Sequence, residues 1–328
     1  DLSKPAIPRF DLLDYNNYVV PPFAKTPLIP VQTTRGCPNG CNFCAVTAFL
    51  GRKMRAKPVE NVIREIEAAH PSRVFFTDDN IAGDPVHARE LFKALKPLKL
   101  RWTCQMSTQI GRDPELIELA ADSGCHETFI GIESINGNSL ASANKGFNKP
   151  DGYAALMTRL KKVGILAQIS LVYGFDNDTK ESLKRTIETI LSWDVNYMYL
   201  FMLTPFPGTD LYATAAAEKR LCTPDWSAYD AMRHVLDYRN ISAEDLIEQY
   251  WDAYRKFYSL GNIVKRLGRF MKQYIVFFPR DFGVEELFFQ LSMRSAVLNN
   301  THPFSLGLRK NATARLSSGG EPAQPGGH

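Results

Sequence analysis

Arg35-Gly36-Cys37-Pro38-Asn39-Gly40-Cys41-Asn42-Phe43-Cys44 is the stretch from which the rest of the chain is read. Its cysteines follow a C-x3-C-x2-C spacing just after Leu28–Thr33, an apolar run that reads as a first strand. Soft thiolates select iron–sulfur clusters or zinc over harder metals. A structural zinc site closes with four protein ligands, often as two separated C-x2-C pairs, and no matching second pair is present. A four-iron cluster ordinarily takes four cysteines, so three leave one iron open to a substrate. Gly36, Pro38 and Gly40 allow the tight loop that turns three sulfurs toward one point. On spacing alone zinc stays open as the alternative.

Outward from this loop, short apolar runs alternate with helical patterns. The expected strands are Leu28–Thr33, Arg73–Asp78, Leu100–Met106, Thr128–Glu133, Leu166–Val172 and Tyr197–Leu203. Between them lie Pro58–Ala69, Pro85–Leu95, Pro114–Ser123, Gly152–Val163 and Lys180–Trp193, which read as helices. Pro58 suits a first-turn position, Asp113-Pro114 reads as cap then first-turn proline, and Asp151 and Asp178 are expected as caps. Six repeats of strand then helix imply α/β architecture with a parallel sheet and right-handed crossovers. Six units fall short of the eight of a closed barrel, so the expected fold is a partial (β/α)6 TIM-like barrel with a C-terminal helical extension.

Strand alternation adds a functional hint. In Leu100–Ser107 one face carries Arg101, Thr103, Gln105 and Ser107, and Gln32, Thr34, Gln168 and Ser170 repeat the pattern in other strands. Parallel strands are normally covered on both faces, and barrel interiors are filled with branched apolar residues. A polar inner face therefore suggests a cavity lined for a polar ligand.

The boundaries follow from composition. Residues 1–30, rich in proline, read as a linker; residues 31–220 as the barrel; 221–310 as a helical region; and the low-complexity end, 311–328, as disordered. Ser242 with Asp245 resembles a capping box opening a helix through Phe257, followed by helical patterns at Asn262–Val276 and Val284–Val297. Across 328 residues the apolar fraction is 45% and the charged fraction 23%, ordinary for a soluble globular protein. The formal net charge of +4 is too small to argue for nucleic acid, and no run of 18 apolar residues spans a membrane. Six cysteines, three of them crowded together, suit reduced thiols in the cytoplasm better than a secreted disulfide framework. Cys104 and Cys125 read as small buried hydrophobes, and Cys222 has no companion ligand near it in sequence.

The C-x3-C-x-aromatic-C loop after a first strand resembles the radical S-adenosylmethionine (SAM) superfamily. That resemblance implies a 4Fe–4S cluster on Cys37, Cys41 and Cys44, with the open iron chelated by the methionine part of SAM and a 5′-deoxyadenosyl radical as product. It places Phe43 beside the adenine, and Asp78, Asp79 and Asn80 at the methionine amino group, where acceptors suit an ammonium. It places Glu133 on the ribose hydroxyls. Gln105, Ser107 and Ser170, at neighbouring strand ends, complete the expected cofactor set. No catalytic acid or base is assigned.

Over about Pro8 to Phe270 the chain is most similar to the cobalamin-dependent subgroup that includes hopanoid methylases. The runs that carry this are Asp78-Asp79-Asn80-Ile81, Gly131-Ile132-Glu133-Ser134, Gly174-Phe175-Asp176 and Thr204-Pro205-Phe206-Pro207-Gly208-Thr209. The subgroup's D-x-H-x-x-G cobalamin signature is missing; Asp84-Pro85-Val86-His87 does not match it. Either a cobalamin domain precedes Asp1 or cobalamin is not used, and the linker-like start favours the first. The implied activity is methylation of a small molecule with a one-electron donor of flavodoxin or ferredoxin type, and the basic, aromatic-rich helical tail adds the expectation of an apolar or lipid-like substrate. Cobalamin-independent oxidation or cyclisation, tRNA modification and a non-catalytic metal protein are the alternatives.

Between Arg255 and Arg280 there are seven basic residues and no acidic ones, interleaved with aromatic and aliphatic side chains. Such a segment either packs on a core with a solvated basic face or lies on an anionic membrane surface. No recognised nucleic-acid module accompanies it.

Overall fold

The computed structural model describes residues 2, 6–14, 28–193, 195–274 and 282–303. Six parallel strands form one sheet: β1 (Leu28–Val31), β4 (Arg73–Phe76), β5 (Arg101–Ser107), β6 (Cys125–Glu133), β7 (Leu166–Tyr173) and β8 (Tyr197–Met202). They lie in that order across the sheet, each beside its neighbour in sequence. A short antiparallel pair, β2 (Thr34–Arg35) with β3 (Arg55–Ala56), brackets the cysteine loop. The helices after the strands are α1 (Ala45–Leu50), α2 (Val59–Ala69), α3 (Pro85–Leu95), α4 (Pro114–Asp122), α5 (Gly137–Ser142), α6 (Tyr153–Lys162), α7 (Lys180–Ser192) and α8 (Asp210–Ala217). The helical extension is α9 (Ala243–Phe257), α10 (Leu260–Tyr274) and α11 (Phe282–Leu298).

Local chemistry accounts for most of these boundaries. Asp113 accepts from Leu116 N–H ahead of Pro114, and Ser242 accepts from Asp245 N–H, so both caps act as their residue types dictate. Two expected caps do not. Thr179, not Asp178, caps α7 through a reciprocal pair with Ser182. Asp178 instead accepts from Gly174 N–H, Phe175 N–H and Ser139 Oγ, closing the turn after β7. Asp151 lies in a 3-10 turn and Gly152 precedes α6 as its cap. Pro58 is itself the cap of α2 rather than its first residue. The 1–30 segment is not all linker: β1 begins at Leu28, and Phe10 is buried in the core. The expected disordered end lies outside the described residues.

An open barrel has edges, and an exposed strand edge invites foreign pairing. Along β8 that edge is met by tyrosines one helical turn apart, two on α9 and the third, Tyr258, at its C-terminal cap. Leu200 N–H donates to Tyr254 Oη at 2.7 Å and Met198 N–H to Tyr258 Oη at 3.3 Å. Tyr258 donates back to Met198 O at 3.1 Å, and Tyr250 donates to Leu200 O at 3.2 Å. The phenols thus pair buried backbone groups that no neighbouring strand reaches.

Candidate functional site

Strand register builds the polar floor of the site. Gln105 lies beside Phe129 and Phe129 beside Gln168; one step on, Ser107, Gly131 and Ser170 lie side by side at the carboxyl ends of β5, β6 and β7. One cavity collects Cys37, Cys41 and Cys44 with Phe43, Asp79, Asn80, Gln105, Ser107, Glu133 and Ser170. It sits where parallel barrels carry their chemistry, at strand C-termini.

The cysteine loop depends on a close approach. Gly36 has φ 93°, and a Cβ there would lie 2.6 Å from Lys53 O, so no side chain fits. Burial pushes all three thiols up, Cys41 to about 11; neighbouring cysteines add to the effect at Cys37 and Cys41, and Asp79 adds to it at Cys44. A metal that binds them does so by displacing protons.

Glu133 is held in an unusual backbone state, φ 62°, at an irregularity in the pairing of β6 with β7. The distortion turns its carboxylate inward, where Lys145 Nζ donates to Oε1 at 2.6 Å and Ser170 Oγ donates to Oε2 at 3.0 Å. Burial alone would pull the Lys145 ammonium down, but Glu133 and the cysteines outweigh it and the net shift is upward. The lysine also lies 6.0 Å from the ring centre of Phe43, which meets Phe175 edge-on. Lys145 was missed in the sequence. Twelve residues and a helix separate it from Glu133, so no local spacing announces the pair.

Asn80 is buried and accepts from Ser107 N–H at 3.1 Å, tying the loop after β4 to the end of β5. Asp79 is half-buried in the cavity wall, and its carboxyl group is raised first by burial and then by Asp78. Asp78 departs from expectation. It does not line the cavity: fully buried, it accepts from Thr33 N–H at 3.0 Å and Thr33 Oγ1 at 2.7 Å, and from both donors of Thr34. Its carboxylate is taken up by the turn that leads into the cysteine loop and is closed off from the cavity.

Residues 31–190 match the family described as the Radical SAM superfamily. Residues 31–190 carry a radical SAM domain. Such a domain implies a 4Fe–4S cluster and SAM. The chain is 33% identical over 263 residues to bacteriochlorophyllide d C-12(1)-methyltransferase of Chlorobaculum tepidum, an alignment covering 77% of this chain and 57% of that one. It is 26% identical to hopanoid C-2 methylase of Rhodopseudomonas palustris, covering 69% of this chain and 43% of that one. The radical SAM methyltransferase TsrM from Kitasatospora setae, solved with cobalamin and a 4Fe–4S cluster bound, superposes with a TM-score of 0.54 at 19% identity. That superposition covers 59% of this chain and 37% of TsrM, and speaks for the fold. The chain spans about half the length of the curated relatives it matches. Among the described residues no helix is long and apolar enough to cross a membrane.

Proposed function

We propose that this chain is the radical SAM core of a cobalamin-assisted methyltransferase acting on an apolar or lipid-like small molecule. The observation that carries the reading is the cavity itself: three thiols and a wall of polar side chains share one space at the strand ends. When bound, the cluster and SAM supply reductive cleavage of a carbon–sulfur bond to a 5′-deoxyadenosyl radical.

On this reading Cys37, Cys41 and Cys44 hold the cluster, and the half-buried Asp79 with Asn80 accepts from the methionine ammonium. The Phe43 ring offers its face to the adenine. Ser170 and Glu133 meet the ribose hydroxyls, with Lys145 fixing the Glu133 rotamer and offsetting the negative charge gathered on the thiolates. Gln105 and Ser107 orient the ligand from below. The protein's part is binding, orientation and exclusion of water.

Methyl transfer is drawn from the methyltransferases among the relatives, and an apolar substrate from the bacteriochlorophyllide and hopanoid that two of them methylate. Cobalamin assistance is drawn from the resemblance to the cobalamin-dependent subgroup, although the sequence carries no D-x-H-x-x-G run. One face of α10 adds support for a substrate drawn from a membrane: Leu260, Val264 and Met271 are exposed beside Lys265.

The test is anaerobic reconstitution of the cluster, then reduction with dithionite in the presence of SAM, with and without added cobalamin, with chromatography for 5′-deoxyadenosine and S-adenosylhomocysteine. Both products, dependent on Cys41 and the second also on cobalamin, are expected. A full four-iron load that leaves SAM intact would refute the reading.

A further inference from the structure

The segment after β8 carries a second group of metal-type donors, none of which lines the cavity described above. Leu221 and Leu236 meet in an isolated antiparallel bridge. Cys222 N–H donates to Val235 O at 3.0 Å, and Asp237 N–H donates to Arg220 O at 2.8 Å. This pairing brings together side chains 12 and 15 residues apart: Cys222 Sγ lies 3.7 Å from His234 Nε2 and 3.4 Å from Asp237 Oδ1. The three ligand atoms all fall within 4.8 Å of one another.

We propose that Cys222, His234 and Asp237 bind one zinc-class divalent ion, with a fourth position open to water or another ligand. A tetrahedral zinc centre with a Zn–S bond of about 2.3 Å and Zn–N and Zn–O bonds of about 2.1 Å sets its ligand atoms about 3.6 Å apart. The two sulfur distances here straddle that value before any ion is placed. A thiolate, an imidazole and a carboxylate are also the donor types that zinc accepts together, whereas a harder ion would reject the sulfur.

The surroundings favour a metal over a hydrogen-bonded or nucleophilic thiol. Asp237 touches the sulfur and not the imidazole, so it opposes a free thiolate instead of orienting a histidine base for one. No arginine is paired with the Asp237 carboxylate among the described ion pairs: Arg220 and Arg239 both pair with Asp176 and Glu218, Arg233 pairs with Asp230, and Arg220 Nε reaches only the Asp237 carbonyl, at 2.8 Å. The imidazole is steadied by Tyr238, whose ring centre lies 5.4 Å away. An ion here would join both arms of the bridge. Its leucines, Leu221 and Leu236, pack with Phe175 and, at the edge of the same apolar cluster, Phe43. The ion would thereby stiffen the wall behind the residue that precedes the third cluster cysteine.

The experiment uses the full chain with its cluster reconstituted, so that Cys37, Cys41 and Cys44 are occupied by iron. The protein is equilibrated with Zn²⁺ alone and desalted, and iron and zinc are measured together. In parallel the alkylation rate of Cys222 is followed by peptide mass spectrometry with and without zinc. Expected are one zinc per chain beyond the cluster iron and alkylation slowed by about tenfold or more. Cys222→Ala and His234→Ala should lose the zinc while keeping their iron, which also reports that they fold. Equal zinc in the original chain and both variants, or a Cys222 alkylation rate indifferent to zinc, would overturn the proposal. The alkylation arm needs no variant, so a misfolded mutant cannot obscure the answer.

Discussion

Replacing Asp78 by alanine distinguishes a loop clamp from a ligand contact. The carboxylate accepts four hydrogen bonds, two of them from the backbone N–H groups of Thr33 and Thr34, and both threonines are buried to within 1%. Alanine leaves those two donors without a partner in a space closed to water, at about 1–3 kcal/mol each. The hydroxyls of Thr33 and Thr34 can rotate to other acceptors and add less. The expected loss is therefore about 4 kcal/mol, large against a typical total of 5–15 kcal/mol. Urea unfolding of the variant and the original chain, under the same anaerobic conditions, measures it. Because the clamped turn leads directly into Cys37, cluster iron after reconstitution should fall with stability, while any protein that does load iron should bind SAM with near-original affinity. An Asp78→Ala protein of unchanged stability that loads iron fully but loses SAM affinity would refute the clamp and restore the ammonium contact.

Four further outcomes follow from particular contacts. A Cβ at Gly131 would lie 2.4 Å from Glu133 Oε1 and 2.9 Å from Lys145 Nζ. Gly131→Ala should therefore displace that ion pair and weaken SAM binding about tenfold or more, roughly 1.4 kcal/mol, by equilibrium dialysis on cluster-loaded protein; unchanged affinity would remove the pair from the ligand site. Tyr254→Phe strips the Leu200 N–H of its acceptor and should cost about 1–3 kcal/mol in urea, whereas no change would mean that the β8 edge needs no cover. Glu286, buried among Tyr197 and Gln290, is pushed up to about 7 chiefly by burial. Its raised value in the folded chain means that its contribution is complete below about pH 4.5 and is lost as pH rises through about 7, roughly 3 kcal/mol in all; Glu286→Gln should flatten that slope, and an unaltered pH profile would count against it. Finally, Lys265→Gln with Arg269→Gln should reduce flotation with anionic vesicles about fivefold per charge, and undiminished flotation would end the membrane reading of α10. Arg266 does not belong in that set: it is buried over the Phe257 ring and donates to Phe257 O and Gln290 Oε1.

The division between what was legible in the sequence and what was not follows the range of the forces involved. Strands and helices of the barrel were readable because alternation, the 3.6-residue stripe and caps such as Asp113-Pro114 act within one turn of the chain. The cysteine loop was readable for the same reason: three thiols within eight residues, hinged on Gly36, have few ways to face apart. Polar strand positions such as Gln105, Ser107 and Ser170 were readable as a face. Only strand register set Ser107 beside Gly131 and Gly131 beside Ser170.

Everything that depended on a distant partner was decided by the tertiary structure. Asp78 and Asp79 look equivalent in sequence, yet alternation along the chain end turns one into the buried turn and leaves the other in the cavity wall. Lys145 finds Glu133 because a distorted backbone at φ 62° swings the carboxylate toward it. The α9 tyrosines appear only as an aromatic-rich pattern until β8 supplies unpaired backbone groups at their spacing. Cys222, alone in the sequence, gains His234 and Asp237 from a single bridge between Leu221 and Leu236. Hydrogen bonds and metal–ligand contacts act over about 2–4 Å, so residues far apart in the chain acquire them only once packing has fixed where each side chain ends.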